Sequence, residues 1–62
     1  MRFRDAKRLH NGDEVVDKAT GESVRVLSVA EEPRFGPMPP QVVIEGIGDG
    51  QGYARWYHGS VR

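Results

Sequence analysis

The chain has 62 residues and no cysteine, so it can form one small domain at most, without a disulfide, a thiolate metal site or a cysteine nucleophile. Nine basic and nine acidic side chains give a net charge of zero, which argues against a protein that depends on many phosphate contacts. The longest apolar run, residues 42–44, is too short to cross a bilayer, and the first residues lack the apolar stretch of a signal peptide, so we expect a cytoplasmic protein.

A short helical turn is predicted in the N-terminal basic segment, residues 1–11. Phe3, Ala6 and Leu9 recur every three residues and would share one side of this turn. Strands follow, because valine-rich and aromatic segments alternate with turn residues such as Asn-Gly, Thr-Gly and Asp-Gly. The predicted strands cover residues 14–18, 23–30, 41–47 and 53–57, followed by one helical turn at 58–60 and a β stub at 61–62.

The second predicted strand changes its apolar face part way along. Val24 and Val26 share one face, whereas Leu27 and Val29 share the other. Side chains alternate with a period of two along a strand, so this change of parity indicates an irregularity near Leu27. We expect a β-bulge or a sharp bend there, which would let one strand serve two sides of a small barrel.

Residues 31–40 contain all four prolines and are predicted to form a loop, because proline lacks the N–H that a strand interior needs. The third strand follows, with Val42 and Ile44 facing inward and Val43 at least half covered. Residues 34–40 also fit the R-x-x-P-x-x-P pattern of polyproline ligands, although stiffening of a turn is the simpler explanation.

The fourth predicted strand has two different faces. Ala54 and Trp56 fall on one face, where a small and a large apolar side chain suit a core. Tyr53, Arg55 and Tyr57, here called the tyrosine row, fall on the other. An exposed row of this kind can stack a base or hold an extended peptide, with its arginine binding a phosphate or a carboxylate.

The candidate binding site is the tyrosine row together with Phe35 of the proline-rich loop. An alternative arrangement leaves no such site. If the loop folds back over the strand, it covers the tyrosines, and the apolar patch that a partner would contact does not exist.

Short strands joined by tight turns predict an all-β, antiparallel barrel of four to five strands with a short N-terminal helical turn. The sequence resembles the SH3-like small β-barrels, of the KOW-like or Tudor-like kind found in uncharacterised bacterial, phage or mobile-element proteins. The resemblance lies in the Gly-Asp that opens a strand at 12–16, the valine-rich residues 24–29 and the closing residues 56–61. It covers residues 12–62 and implies an architecture but no residue-level site.

No catalytic, cofactor or metal site is predicted. The glycine-rich residues 46–52 miss the G-x-G-x-x-G pattern at Gln51 and are typical of a hairpin tip. His10 and His58 lack a metal-ligand spacing, and only a fold that places His58 beside Asp13 or Asp17 would create an acid/base or metal pair. Enclosing a catalytic pocket is also difficult in so short a chain. We therefore expect that the protein is not an enzyme.

The favoured function is a single-domain binding module, residues 1–62, that contacts a protein partner or forms a homodimer through the tyrosine row and Phe35. The alternative is weak nucleic-acid binding through basic chain ends, since residues 1–12 carry a net charge of +3 and residues 51–62 of +2, against −5 for residues 13–50. The side chains concerned are Arg2, Arg4, Lys7, Arg8, Arg55 and Arg62. Added salt discriminates between the two, because phosphate contacts weaken steeply with salt.

Overall fold

The computed structural model of the protein describes residues 1–33 and 36–62. Its elements are α1 (Phe3–Ala6), β1 (Glu14–Val16), β2 (Ser23–Glu32), β3 (Gln41–Gly48), β4 (Gly52–Tyr57) and a 3-10 turn (His58–Ser60). The strands form one antiparallel sheet in the order β1-β2-β3-β4, which is open in the described residues. The predicted β class, the N-terminal helical turn and the turn at 58–60 are confirmed. No helix in the described part of the chain is long and apolar enough to cross a membrane.

The register between β2 and β3 shifts at the position where the sequence pattern changes parity. Val26 pairs with Gly46, but the next paired residue of β2, Ser28, is opposite Glu45. Leu27 is therefore an extra residue on β2, as in a β-bulge. Because of this extra residue, Val29 lies on the same inner side of the sheet as Val24 and Val26, where it packs against the core. The predicted irregularity near Leu27 is confirmed.

Strand β2 extends further than predicted. Glu31 and Glu32, assigned to the proline-rich loop from the sequence, pair with Val42 and Gln41 of β3. The reason is that backbone pairing requires N–H groups and not a particular side chain, so β2 can continue up to Pro33, the first residue that has no N–H.

The core lies on the inner face of the sheet and is covered by α1. Eight apolar residues are buried: Ala6, Val15, Val24, Val26, Val42, Ile44, Trp56 and Val61. Phe3 and Leu9 pack at its margin, as their spacing with Ala6 predicted. A core of this size supplies only about 3–5 kcal/mol of net stability, so the domain depends strongly on each large buried side chain.

The two ends of the chain lie side by side. Asp17, just after β1, forms an antiparallel bridge with Val61, and the Arg62 N–H donates to the Val16 carbonyl over 2.9 Å. The N-terminal amine of Met1 donates to the Val61 carbonyl. The predicted β stub at the end of the chain therefore exists, and it covers the end of β1.

Candidate functional site

The outer face of β4 presents the tyrosine row to solvent. Along the strand, Trp56 is buried and Ala54 half buried, whereas the residues between and beside them point outward. Tyr53 is 58% exposed and Tyr57 is 50% exposed. The predicted faces of this strand are therefore correct. The described residues of the proline-rich loop do not cover the two rings.

Strand β3 adds apolar surface beside the row. Its outward residues lie directly opposite those of β4, in the pairs Ile47–Tyr53, Glu45–Arg55 and Val43–Tyr57. Ile47 is 46% exposed, so it extends the apolar surface of the Tyr53 ring. The hairpin thus offers a patch of aromatic and aliphatic carbon that contains one arginine and one glutamate.

The hydroxyl groups of both tyrosines interact with glutamates of the sheet. The Tyr53 hydroxyl donates to the Glu45 carboxylate on β3. The Glu32 carboxylate on β2 raises the pKa of the Tyr57 phenol, first through hydrogen bonding and then through its negative charge. These contacts hold the rings across the sheet. A partner would therefore meet ring surface more than free hydroxyl groups.

Arg55 stands between the two tyrosines and opposite Glu45 of β3, whose carboxylate accepts the Tyr53 hydroxyl. Within the described residues, an ion pair joins Lys7 to Glu31, the His10 imidazole lies 4.0 Å from the Asp13 carboxylate, and neither contact involves Arg55. An arginine flanked by aromatic rings on a rigid strand can bind a carboxylate or lie over another ring. Phe35, the remaining residue predicted for this site, lies outside the described residues, and its part in the site stays a prediction.

The basic residues predicted for nucleic-acid binding do not form one surface. Four of them, Arg2, Arg4, Lys7 and Arg8, belong to α1 and its flanks, and the hydrogen bond from the Met1 amine to the Val61 carbonyl places the backbone of Arg62 near the start of the chain. Arg55 points from the outer face of the sheet, whereas α1 covers the inner face. The structure therefore separates Arg55 from the other five residues, which we call the basic ends.

A shallow depression of about 480 Å³ lies among the basic ends, lined by Phe3, Arg4, Lys7 and Arg8. Part of its charge is already neutralised, because the Lys7 ammonium is 3.7 Å from a carboxylate oxygen of Glu31. The same ammonium lies 5.4 Å from the centre of the Phe3 ring. An anion in this depression would contact a few cationic side chains but would not be enclosed.

A buried acid, considered from the sequence only as a possible partner of His58, joins distant parts of the fold. Asp17 is buried and accepts hydrogen bonds from the Trp56 indole N–H at 2.9 Å and from the Ala19 backbone N–H at 2.8 Å. Gln51 donates to the same carboxylate over 3.5 Å and to Glu22 over 3.2 Å. The one available signal was Trp56 itself, because a buried indole N–H needs an acceptor.

This arrangement makes stability depend on pH. The hydrogen bond from Trp56, and then that from the Ala19 backbone, hold the pKa of Asp17 below its usual value. The carboxylate therefore stabilises the fold above about pH 4, and this contribution is lost as the pH falls through the lowered pKa of the folded state. We expect the difference in thermal unfolding temperature between wild type and Asp17→Asn to shrink between pH 5 and pH 2, as measured by circular dichroism. A difference that is constant with pH would contradict this role for Asp17.

His58, unlike His10, has partners other than the two acids considered above, Asp13 and Asp17. The Nδ1 atom of His58 accepts the Val42 backbone N–H at 3.2 Å, and the ring meets Phe3 edge to face with centroids 5.7 Å apart. The Asp13 carboxylate accepts the backbone N–H of His10 at 2.8 Å. Across residues 1–33 and 36–62, no three potential metal ligands lie together.

The chain was also compared with known proteins, and no protein-family model, curated protein or solved structure matches it. Its candidate function therefore rests on its own residues: the tyrosine row with its neighbours on β3, and the basic ends.

Proposed function

We propose that the chain is an SH3-like barrel that works in the cytoplasm as a non-catalytic protein-binding module. The barrel assignment is supported by the final segment, which lies beside β1 through the Asp17–Val61 bridge and the Arg62 to Val16 hydrogen bond. In a small, partly open barrel, a last strand placed in this way lies beside the first strand, while the strand before it can keep one free edge. The bulge at Leu27 supports the same assignment, because bulges give strands the bend that closure requires.

The exposed tyrosine row is the observation that carries the binding function. Tyr53 and Tyr57 stand on β4, whose backbone is paired with β3, and the Tyr53 hydroxyl donates to the Glu45 carboxylate. Rings that are already positioned lose little conformational freedom when a partner covers them, so more of the burial free energy remains as affinity. A contiguous apolar patch on a small soluble domain is also typical of a protein interface.

Charge favours a protein over a nucleic acid at this surface. The carboxylates of Glu45 and Glu32 lie near the two rings, and in the described residues the cations of this face are Arg55 between the rings and Arg25 of β2, opposite Ile47. A phosphate backbone that followed the row would be repelled by these carboxylates, and affinity for nucleic acid depends on the number of phosphates neutralised. A protein surface with apolar side chains and a carboxylate for Arg55 fits better.

A photo-reactive phenylalanine analogue in place of Tyr53 tests this function in the cells that make the protein. We expect illumination to yield covalent adducts with protein, because the reactive ring would lie inside the interface. The matched control places the same analogue at Thr20, in the exposed turn between β1 and β2. Equal adduct yields at the two positions, or none at either, would contradict a protein interface on the tyrosine row.

A weak nucleic-acid contact through the basic ends is the second candidate, favoured by the hydrogen bond that joins Met1 to Val61 and so brings the two ends of the chain together. We expect a DNA mobility shift at low salt that disappears as salt is added. Arg4→Glu should remove the shift, whereas Arg25→Glu, on the outer face of β2, should retain it. If micromolar protein produces no shift at low salt, the basic ends do not bind nucleic acid.

A further inference from the structure

The two edges of the sheet differ in how they are covered. The end of β1 is covered by the final segment, where the Arg62 N–H reaches the Val16 carbonyl and Asp17 bridges to Val61. The opposite edge is β4, and within the described residues β3 is the only strand that pairs with it. One side of β4 therefore offers backbone N–H and C=O groups to a further strand.

Strand β4 also lacks the features that protect natural edge strands. It runs from Gly52 to Tyr57, contains no proline and has a continuous register with β3. Arg55 is its single charged residue. Edge strands that must stay unpaired are usually short, bulged or interrupted by proline or several charges. The composition of β4 therefore favours pairing.

The residues of β4 fit a second copy of the same strand. In an antiparallel pair related by a two-fold axis at Ala54, Arg55 lies opposite the partner's Tyr53, and Trp56 lies opposite the partner's Gly52. The Arg55 guanidinium then contacts the partner's Tyr53 ring. The Trp56 indole has space because the partner's Gly52 has no side chain. Each residue of the outer face stays opposite another residue of the outer face, as the pleat requires.

The registers with an axis at the next two residues of β4 fit less well. An axis at Arg55 places the two arginines opposite each other, and like charges directly opposite destabilise a strand pair. An axis at Trp56 would use residues beyond Tyr57, but the 3-10 turn begins at His58 and shortens the pairing. A zero net charge means that two copies do not repel each other overall.

We propose that the protein forms a symmetric dimer in which the β4 strands of two copies pair antiparallel about Ala54. The two sheets then become one, and the two tyrosine rows form one continuous surface. This inference rests on the proposed function, since it identifies a second copy as the partner next to the row. It also identifies the molecule that pairs with the open edge of the sheet, β4, as a second copy of the chain.

Sedimentation of the purified chain from micromolar to millimolar concentration tests the dimer. We expect a concentration-dependent shift from monomer to dimer. In an equal mixture of isotope-labelled and unlabelled protein, nuclear Overhauser contacts between copies should join Tyr53 to Arg55 and Ala54 to Ala54. A monomer at millimolar concentration, or contacts between copies that avoid β4, would overturn the inference.

Two charge-reversal variants on the outer face of the sheet, one at the β4 edge and one away from it, test the pairing of the β4 strands. Arg55→Glu removes two cation–aromatic pairs per dimer and should raise the dissociation constant about tenfold. Arg25→Glu makes the same change on β2, away from the edge, and should leave the constant within about twofold. Both sites are exposed, so both variants should keep the wild-type amide spectrum. Equal weakening by the two variants would contradict the β4 pairing.

The outcomes separate this inference from the function on which it rests. A monomeric chain that still gives a Tyr53 adduct with a different protein overturns the β4 dimer and leaves the protein-binding function in place. Loss of the Tyr53 adduct overturns the protein-binding function itself. A Tyr53 adduct with the mass of two copies, together with the contacts across β4, supports both.

Discussion

Replacing Trp56 with alanine is expected to unfold the domain at room temperature. Trp56 is 8% exposed and is the largest side chain of the core, opposite Ile44 on β3. Removing a buried aromatic side chain costs about 3–5 kcal/mol, which equals the whole net stability expected of so small a core. The change also leaves the Asp17 carboxylate without its indole donor. Loss of amide dispersion in a proton–nitrogen correlation spectrum is the measurement.

Two further variants show which part of Trp56 matters. Trp56→Phe keeps a buried ring and removes the donor to Asp17, so it should destabilise the fold less than alanine does. Tyr57→Ala removes an exposed aromatic ring from the same strand and should change stability by about 0.5 kcal/mol or less. If Trp56→Ala retained the wild-type spectrum, the assignment of the inner face of β4 would be wrong.

Alanine at Gly46 should destabilise the domain through a steric clash inside the sheet. A Cβ atom at this position would lie 2.6 Å from the carbonyl oxygen of Arg25 and 2.9 Å from Cγ1 of Val24. The first neighbour is backbone and the second is a fully buried side chain, so neither can move without shifting β2 away from β3. Overpacking of this kind costs about 1–3 kcal/mol or more, a large fraction of the total stability.

The urea midpoint of Gly46→Ala, compared with that of Gly59→Ala, tests the clash. A Cβ atom at Gly59 would meet nothing within 4 Å, so this control has the same chemistry without the contact. We expect Gly46→Ala to unfold at much lower urea, whereas Gly59→Ala should stay near the wild type. Equal midpoints for the two variants would show that β2 and β3 accommodate the extra methyl group.

Local patterns were sufficient to predict the strands and the bulge. Alternation placed Val42 and Ile44 inside, and the parity change between Val26 and Leu27 located the register shift. The end of β2 could not be predicted in the same way. Glu31 and Glu32 are poor strand residues by composition, and only their pairing with β3 includes them in the sheet.

The candidate site could also be predicted only in part. The outward direction of Tyr53, Arg55 and Tyr57 follows from the two-residue period of a strand and was predicted. The separation of Arg55 from the basic ends depends on which face of the sheet α1 covers, and a helical turn of four residues does not encode that choice. The role of Asp17 depends on Trp56, 39 residues further along the chain, a distance at which local patterns carry no information.

The contact between Asp17 and Trp56 also affects how the domain folds. It closes a large loop, and closing a loop costs entropy before the contact returns any stability. Because 39 residues separate the two, the contact adds little stability to a chain in which the intervening strands are still unpaired. Such a topology favours slow, all-or-none folding over the stepwise growth of local structure. Amide protons of the β1–β2 turn and of β4 should therefore exchange with solvent through the same cooperative opening.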